Sequence, residues 1–371
     1  MKKDFFSFGD FWSSLDKTLF FIPLIILFCG LLSIYSQCAM VDQSVFQVSI
    51  LLRQIIWSCV GLCFYFFIIF LDYRRLYKYT AIAYGVIMLM FFALLLIGFA
   101  TKGANRWFNL GFMRFQPSEF GKVVWAFVVA FMCSNFPPRE VKDVAVILGV
   151  AGFTLLPILL QPDLGSTLVY LVMLFAVLIV ACIPWKFIGT LLGVALCSFP
   201  FLWLFLKDYQ KLRILVFIDP SLDPRGAGYN VIQSRIAVGS GGFFGKGFLQ
   251  GTQGKLHFLP EPHTDFIFSV FSEEFGFIGS ATVVILYALL MMKIIEIAEK
   301  TKDDQARYIC IAIMASLWFA VTESVAMTIG LAPVTGIPLP LFSYGGSSIL
   351  VTFIMLGIVQ SIGIVAKEGE I

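Results

Sequence analysis

The sequence predicts an all-α integral membrane protein with about ten transmembrane helices, a long ordered extracytoplasmic loop and both termini in the cytoplasm. Composition is the first reason, since 59% of the 371 residues are hydrophobic and only 13% are charged, about half the charged fraction of a typical soluble domain. The second is a series of apolar segments about 20 residues long, the length that a helix needs to cross a bilayer. The third is the distribution of lysine and arginine between these segments.

The predicted spans account for most of the chain. The fifth and sixth are separated only by Gln161, Pro162 and Asp163, which predicts a tight hairpin. The first lacks an obvious cleavage site, so we expect a retained anchor and not a signal peptide. No internal repeat is evident, and residues 1–371 are expected to form one polytopic domain. The ten spans lie at 18–36, 50–71, 79–100, 117–135, 143–160, 164–182, 187–206, 265–292, 306–330 and 341–365.

The orientation of the spans follows from the positive-inside rule. One set of loops carries most of the cations and is predicted to be cytoplasmic. The loop at 101–116 is an exception, because it carries Lys102, Arg106 and Arg114 on the predicted outer side. Cations placed there against the rule indicate an anionic ligand. The net charge of +3, without a basic arm, gives no support for a nucleic-acid partner.

A long segment at 207–264 joins the seventh and eighth spans on the outer side. Loops longer than about 15 residues are usually functional or disordered, and this one contains apolar residues throughout. The amphipathic piece from Tyr229 to Val238 predicts a short interfacial helix. The glycines of GSGGFFGKG predict tight turns and close backbone approach. We therefore expect an ordered extracytoplasmic cap.

Carboxylates cluster where this cap meets the eighth span. Asp265 follows His263 at the junction, and Glu273 and Glu274 lie two turns further along. An aspartate at the centre of a membrane helix costs about 2.5–3.5 kcal/mol and less near the interface, so function is the default hypothesis. At 100° per residue, Glu273 lies about 80° around the helix from Asp265 and Glu274 about 180°. Only Glu273 is expected to support Asp265. For His263, a capping role is favoured over direct chemistry.

Two further polar groups surround the start of the fourth span. Glu119 and Lys122 are three residues apart and share a helix face. They form either an ion pair that only locks helices together or part of a site. Arg106 and Trp107 lie in the sequence GANRW. For these two residues, an interfacial tryptophan beside an arginine that extends towards water is favoured over a role in a site.

Three more groups lie elsewhere at membrane depth. Asp163 follows the fifth span, where a helix cap is the favoured role. Ser343 and Ser347 belong to FSYGGSS at the start of the tenth span, where a small-residue packing surface is an equal alternative to ligand contact. Glu323 lies inside the ninth span and is either the partner of a buried cation or part of a polar pathway.

All these groups except Glu323 begin on the predicted outer side, which indicates one outward-facing site. Cations beside carboxylates and open backbone suit an anionic lipid-linked substrate. The cations, or a divalent metal held by carboxylates, would stabilise a phosphate leaving group, and a carboxylate would act as general base. Serine-hydrolase chemistry is disfavoured, because no His/Asp arrangement accompanies the serines.

Five stretches between residues 101 and 350 resemble the motifs of the SEDS family (shape, elongation, division and sporulation). They occur in the order that the family has, and the match is very specific. The glycine-rich stretch and the compact termini are more similar to the elongation members, the RodA type, than to the division members. The stretches are GANRWFNLGFMRFQPSEFGK, QPDLGST, GAGYNVIQSRIAVGSGGFFGKGFLQGTQ, FLPEPHTDFIFSVFSEEFG and GIPLPLFSYGGSS.

The resemblance implies a ten-helix peptidoglycan glycosyltransferase of the bacterial cytoplasmic (inner) membrane. Such enzymes polymerise lipid II, an undecaprenyl-pyrophosphate-linked disaccharide-pentapeptide, on the outer face. The resemblance also implies a divalent cation, Mg²⁺ or Mn²⁺, and no organic cofactor. As partners it implies a class B penicillin-binding protein that acts as transpeptidase and the other membrane proteins of the elongation complex.

The resemblance assigns roles residue by residue. Asp265 matches the catalytic aspartate of the family, which would deprotonate the acceptor hydroxyl. Arg106 and Lys122 match basic positions that would hold the pyrophosphate, and Glu119 and Asp163 match polar positions with less settled roles. Trp107, His263, Ser343 and Ser347 are the other expected substrate contacts, and Asp265, Glu119 and Asp163 are the candidate metal ligands.

Two alternatives remain at this stage. A flippase for lipid-linked sugars would also be polytopic with charges in its spans, but it needs a polar path to the inner side, for which only Glu323 is a hint. A scaffold that only recruits a transpeptidase would leave Asp265, Arg106 and Lys122 unexplained.

Overall fold

The structure is a computed structural model and describes residues 12–40, 45–97, 99–101, 104–109, 114–224, 226–254, 258–259 and 261–368. Helices dominate the described residues, and three short strands lie between the third and fourth predicted spans. In chain order the elements are α1 (Lys17–Met40), α2 (Val45–Leu71), α3 (Tyr73–Tyr77), α4 (Thr80–Ile97), β1 (Phe99–Thr101), β2 (Ala104–Asn109), β3 (Arg114–Phe115), α5 (Pro117–Asn135), α6 (Val141–Leu160), α7 (Leu164–Val180), α8 (Trp185–Phe205), α9 (Asp208–Ile218), α10 (Ala227–Ser240), α11 (Ile267–Lys300), α12 (Asp304–Ile329) and α13 (Gly346–Glu368).

Each predicted span falls on one helix, so the multi-pass all-α prediction is confirmed. Within the described ranges, six helices are long and apolar enough to cross a bilayer, namely α1, α2, α6, α11, α12 and α13. The shorter apolar helices α4 and α7 fall on two other predicted spans. The sidedness of the termini stays a prediction.

The two last helices form the centre of the bundle. Helix α13 packs along α2, while α12 packs against α5, α7 and α11. The apolar window of α13 is 83% buried, compared with 22% for that of α11, so α13 is a core helix and α11 a lipid-facing one. Small residues allow this closeness, since a Cβ atom at Gly357 would lie 2.9 Å from the carbonyl oxygen of Tyr65.

Local signals in the sequence set several helix ends. Pro117 begins α5, where its missing N–H has no cost. The side chain of Asp163 accepts a hydrogen bond from the backbone N–H of Ser166 and caps α7, and Asp303 caps α12 in the same way. Gly330 ends α12 in the left-handed conformation, with φ of 76°.

Helix α11 is broken at Gly276, which has φ of 65° and ψ of −162°. The glycine-rich turn at 241–247 supplies partners for the interrupted backbone. The amides of Phe277 and Ile278 donate to the carbonyls of Gly242 and Phe243 at 2.9 and 3.2 Å. A Cβ atom at Gly245 would collide with the backbone of residue 274. The predicted close backbone approach of these glycines is confirmed, and it satisfies polar groups that a membrane would leave unpaired.

The described residues of the segment at 207–264 form two α-helices, with a short 3-10 turn at Pro220–Leu222 between them, where one helix was predicted. The predicted helix at 229–238 lies inside α10, and α9 is an addition that its short apolar stretch did not reveal. Helix α10 packs against α11 and α12. Residues 225, 255–257 and 260 lie outside the described part of the segment.

The loop at 101–116 forms a small antiparallel sheet in the order β1-β2-β3. Phe99 of β1 pairs with Trp107 of β2, and Asn109 of β2 pairs with Arg114 of β3. Of the three predicted outer cations, Lys102 and the side chain of Arg106 lie outside the described residues. The strands are a local addition to a helical fold.

Candidate active site

Asp265 lies in the turn just before α11 and is half-buried. The turn is fixed by the start of the last span, because the amide of Tyr344 donates to the carbonyl of His263 at 2.9 Å. The hydroxyl of Ser343 donates to the carbonyl of Thr264 at 2.8 Å. The HTD and SYGG motifs, which are about 80 residues apart, therefore form one structural unit.

Ser343 is a buried link within this unit. Its hydroxyl also accepts a hydrogen bond from the amide of Leu339 at 2.9 Å. Its carbonyl accepts one from Nε2 of Gln54 at 3.0 Å, and Oε1 of Gln54 accepts one from the amide of Gly345 at 3.2 Å. Sequence reasoning missed Gln54, although a fully buried glutamine inside the apolar helix α2 is itself a signal. Because the hydroxyl of Ser343 is engaged twice, its predicted contact with substrate stays a prediction.

The segment between α12 and α13 brings Glu323 to Asp265. A Cβ atom at Gly336 would lie 3.5 Å from Oδ2 of Asp265. The neighbouring Thr335 donates its hydroxyl hydrogen bond to Oε1 of Glu323. Glu323 lies near the C-terminal end of α12 and not midway along a path through the bilayer. The expectation that Glu323 lies apart from the polar groups of the outer side is therefore wrong.

Helix α9 adds a cation that sequence reasoning missed. Nη1 of Arg213 donates to the carbonyl of Thr335 at 3.2 Å, and its guanidinium lies 5.9 Å from the ring centroid of Tyr209. The hydroxyl of Tyr209 in turn donates to the carbonyl of Pro162 at 3.1 Å. Helix α9 thus connects the QPD hairpin with the segment that contacts Asp265.

Asp163 caps α7, which is the role that its position in the sequence favoured. Oδ2 of Asp163 accepts a hydrogen bond from the hydroxyl of Ser166 at 2.8 Å, and that hydroxyl lies 3.2 Å from Oγ of Ser118. A Cβ atom at Gly165 would lie 2.9 Å from the side chain of Ile337. The start of α7 therefore packs between the Asp265 segment and the start of α5.

Glu119 and Lys122 form a buried ion pair, with 2.6 Å between Oε1 and Nζ. The residues are only 5% and 6% exposed. They follow Ser118 in the first turns of α5, so contacts through Ser166 and Gly165 connect them with the Asp265 region. The arrangement supports one site, with the pair at its inner wall.

The sheet loop is attached to the same region by Ser347. The hydroxyl of Ser347 donates to the carbonyl of Arg114 at 3.2 Å, and Ser347 is 4% exposed. Trp107 is half-buried in β2. The predicted contribution of Arg106 lies outside the described side chains.

Glu273 does not support Asp265, contrary to the helical-wheel expectation. Its Oε1 accepts hydrogen bonds from Nζ of Lys246 at 2.6 Å and from the amide of Thr252 at 2.8 Å. Oε2 accepts one from the amide of Gln253 at 3.1 Å. Glu274 accepts a hydrogen bond from the hydroxyl of Ser36. Helix periodicity missed this because the chain folds a second loop over that face.

A cavity of about 540 Å³ lies between α10 and α11, where α11 is broken. Apart from Ser272 and Ser280, its lining is formed by glycine and apolar residues. None of the predicted site residues lines it, and its surface offers no cation to a phosphate. We therefore place the candidate site at Asp265 and not in this cavity.

A metal ion would have few protein ligands here. In the part of the chain that is described, no three His, Cys, Asp or Glu side chains are grouped to hold one. Of the three predicted ligands, Glu119 is paired with Lys122 and Asp163 caps α7, both buried, while Asp265 is half-buried. Mg²⁺ is usually held by one or two carboxylates together with substrate phosphates. The residues therefore fit a cation that binds together with a pyrophosphate, and not one in a closed protein cage.

Comparison with known proteins identifies relatives along nearly the whole chain. Peptidoglycan glycosyltransferase MrdB of Escherichia coli (strain K12) is 36% identical over 356 residues, which cover 95% of each chain. Peptidoglycan glycosyltransferase RodA of Treponema pallidum (strain Nichols) is 30% identical and covers 94% of this chain and 98% of its own.

Solved structures give the same result. A chain from the study "Structural coordination of polymerization and crosslinking by a peptidoglycan synthase complex" superimposes with a TM-score of 0.79 and 33% identity, over 95% of this chain and 98% of that one. Rod shape determining protein RodA of Thermus thermophilus superimposes with a TM-score of 0.71 and 29% identity, over 95% of this chain and 97% of that one. The family model for FtsW, RodA and SpoVE, described as "Cell cycle protein", matches residues 16–368. This chain therefore belongs to the FtsW/RodA/SpoVE family.

Proposed function

We propose that this chain is a peptidoglycan glycosyltransferase that polymerises lipid II into glycan strands on the outer face of the bacterial inner membrane during cell elongation. The relatives named MrdB and RodA support the activity. One observation carries the placement of the site. The HTD turn, the Thr335–Gly336 segment and the QPD hairpin are joined by direct contacts at one end of the bundle, and Ser118 connects the start of α7 with the first turn of α5, where Glu119 and Lys122 lie.

Asp265 is the proposed general base. It is half-buried and reachable, whereas Glu119, Asp163, Glu273 and Glu274 are at most 5% exposed. Asp265 takes the proton from the 4-hydroxyl of the acceptor sugar as that oxygen attacks the anomeric carbon of the donor. The configuration inverts, and undecaprenyl pyrophosphate leaves. A base of this kind contributes about 10²–10⁴-fold to a rate.

Cations around Asp265 are proposed to hold the pyrophosphate. Lys122 and Arg106 are the predicted ones, and the half-buried Arg213 of α9 joins them because it contacts the segment beside Asp265. A divalent cation held by Asp265 and the substrate phosphates would neutralise charge on the leaving group. Preorganised positive charge stabilises a developing anion without reorganisation at the moment of reaction.

A class B penicillin-binding protein is the proposed partner, with the elongation-complex membrane proteins around them. The similarity to a chain of a peptidoglycan synthase complex supports this assignment. The extracytoplasmic segment with α9 and α10 is the part of this chain that such a partner would reach. Because α9 contacts both the hairpin and the Asp265 segment, a partner there would act directly on the site.

The experiment is polymerisation of lipid II by the purified protein, with its partner, in detergent. Detergent micelles have no two sides, so glycan chains formed there cannot result from transport. A flippase would instead move lipid II across vesicle membranes and make no glycan. Glu323, the one sequence hint of a path to the inner side, lies near the end of α12 that leads into the Thr335–Gly336 segment next to Asp265. Absence of glycan under conditions in which lipid II still binds would contradict the proposal.

A further inference from the structure

Ser234 of helix α10 is a fully buried serine that hydrogen-bonds to two membrane-spanning helices at once. Its hydroxyl donates to the carbonyl of Thr328, in the last turn of α12, at 2.7 Å. Its oxygen also lies 2.7 Å from Oγ of Ser269, in the first turn of α11. Because the single hydroxyl proton of Ser234 goes to the carbonyl, Ser269 is the donor to Ser234. Ser234 therefore joins the start of α11 to the end of α12.

The two helix ends that Ser234 joins carry two sides of the candidate site. Asp265 lies about one helical turn before Ser269 in the chain. The segment after α12 leads from Gly330 to Gly336, where a Cβ atom would lie 3.5 Å from Oδ2 of Asp265. The distance between Asp265 and this segment thus depends on the spacing of α11 and α12 at this end of the bundle.

Arg235, the next residue of α10, contacts the chain where it leaves α12. Its Nη2 donates to the carbonyl of Gly330 at 3.0 Å. Arg235 is exposed, so water can replace this hydrogen bond when it is lost. Ser234, Ser269 and Thr328 are all fully buried, so a hydrogen bond lost among them leaves a polar group without a partner. The buried link is therefore the one that determines the spacing.

The same region also has apolar contacts, which constrain the spacing less. Val334 packs against a small cluster formed by Leu259, Phe266 and Val270. Burial of apolar surface is non-directional. A hydrogen bond, in contrast, requires heavy atoms about 3 Å apart and a nearly linear arrangement. Hydrogen bonds through Ser234 thus add a directional constraint to a contact that apolar packing alone would allow to slide.

We propose that Ser234 is a positioning residue for the transfer reaction, which holds α11 and α12 at the spacing that places Asp265 beside the Gly336 segment. This inference rests on the proposed role of Asp265. Ser234 acts on the reaction through Ser269 and Thr328. A displacement of about 1 Å in a reacting group, even one caused from a distance, can cost about 10²-fold in rate. A small change of helix spacing is therefore enough to affect turnover.

The test measures lipid II polymerisation and amide hydrogen exchange of two alanine variants. Ser234→Ala removes both links, whereas Ser269→Ala removes only the link to α11 and leaves the carbonyl of Thr328 with its donor. For Ser234→Ala we expect kcat to fall about tenfold while the KM for lipid II stays within about twofold. Exchange of residues 331–336 should become faster. Ser269→Ala should give a smaller loss, and the double variant should be no slower than Ser234→Ala, because the two changes remove one shared link.

Ser240→Ala is the matched control on the same helix. The hydroxyl of Ser240 donates to the carbonyl of Ala237 within α10 and joins no second helix. Its removal should leave kcat, KM and the exchange of residues 331–336 as in the parent protein. Monodisperse elution and an unchanged melting temperature confirm that each variant is folded. If Ser234→Ala is not monodisperse, Ser269→Ala decides by the same criteria.

Three outcomes overturn the inference: a parent-like kcat in Ser234→Ala, a loss caused by a higher KM alone, and unchanged exchange of residues 331–336. An equal loss in Ser240→Ala also overturns it. Asp265→Asn is measured in parallel. If Asp265→Asn polymerises normally, the proposed role of Asp265 fails, whereas an inactive Asp265→Asn beside a parent-like Ser234→Ala overturns only the inference.

Discussion

Nζ of Lys122 lies 2.6 Å from Oε1 of Glu119, and both side chains are buried at the inner wall of the site. Removing one member of a buried pair leaves an uncompensated charge, which costs about 3–5 kcal/mol. Lys122→Met should therefore lower the free energy of unfolding by about that amount, measured by denaturant unfolding in detergent. The double variant Glu119→Gln/Lys122→Met should recover most of the stability. If Lys122 holds pyrophosphate, the double variant stays inactive in polymerisation.

A matched control for this pair is available at the other end of the bundle. Lys300 lies 2.9 Å from Glu296, but the two side chains are 52% and 42% exposed. Lys300→Met should change stability by no more than about 0.5 kcal/mol, because exposed pairs are solvated. Recovery of both stability and polymerisation in the double variant would show that Lys122 is only structural.

Replacement of the proposed base provides the second prediction. Asp265→Asn keeps the size of the side chain and removes its ability to accept the proton, so polymerisation should fall by at least about 10²-fold. The melting temperature should stay unchanged. Glu261 lies in the same segment and is exposed. Glu261→Gln therefore serves as the control, and its activity should stay near that of the parent protein. Long glycan chains from Asp265→Asn would refute the assignment.

Glu273 provides a third prediction, concerning the glycine-rich loop. Two backbone amides and Lys246 converge on this fully buried carboxylate. Glu273→Ala should leave these donors unpaired and release residues 246–253, seen as faster amide hydrogen exchange there. Lys246→Met should have a smaller effect, because both backbone donors keep their acceptor. Equal exchange in Glu273→Ala and the parent protein would mean that the loop is held by its backbone contacts alone.

Close packing of α1 on the SYGG turn provides a fourth prediction. A Cβ atom at Gly30 would lie 2.6 Å from the carbonyl oxygen of Phe342. Because backbone cannot rotate away, Gly30→Ala should cost about 1–3 kcal/mol and reduce polymerisation by displacing the turn that holds Ser343. Gly85→Ala is the matched control, since nothing lies within 4 Å of a Cβ atom there. It should be neutral or stabilise α4 by up to about 1 kcal/mol.

The sequence by itself determined the class of the protein. Composition and hydropathy period depend only on local chain chemistry, so the ten spans, the cap at Asp163 and the turn glycines could be read directly. The i,i+3 spacing of Glu119 and Lys122 likewise indicated a pair, because a helix fixes their separation.

Only the tertiary structure decided which polar groups meet. Glu323 is 58 residues from Asp265 in sequence. In the structure, Glu323 accepts a hydrogen bond from Thr335, and Asp265 lies next to the following residue, Gly336. Arg213 and Gln54 contribute through helices whose sequences carry no motif for this role. The prediction that Glu273 supports Asp265 was wrong, because helical periodicity gives the face of the helix on which a side chain lies and not the loop that packs against that face. Long-range contacts are set by packing, which no local pattern encodes.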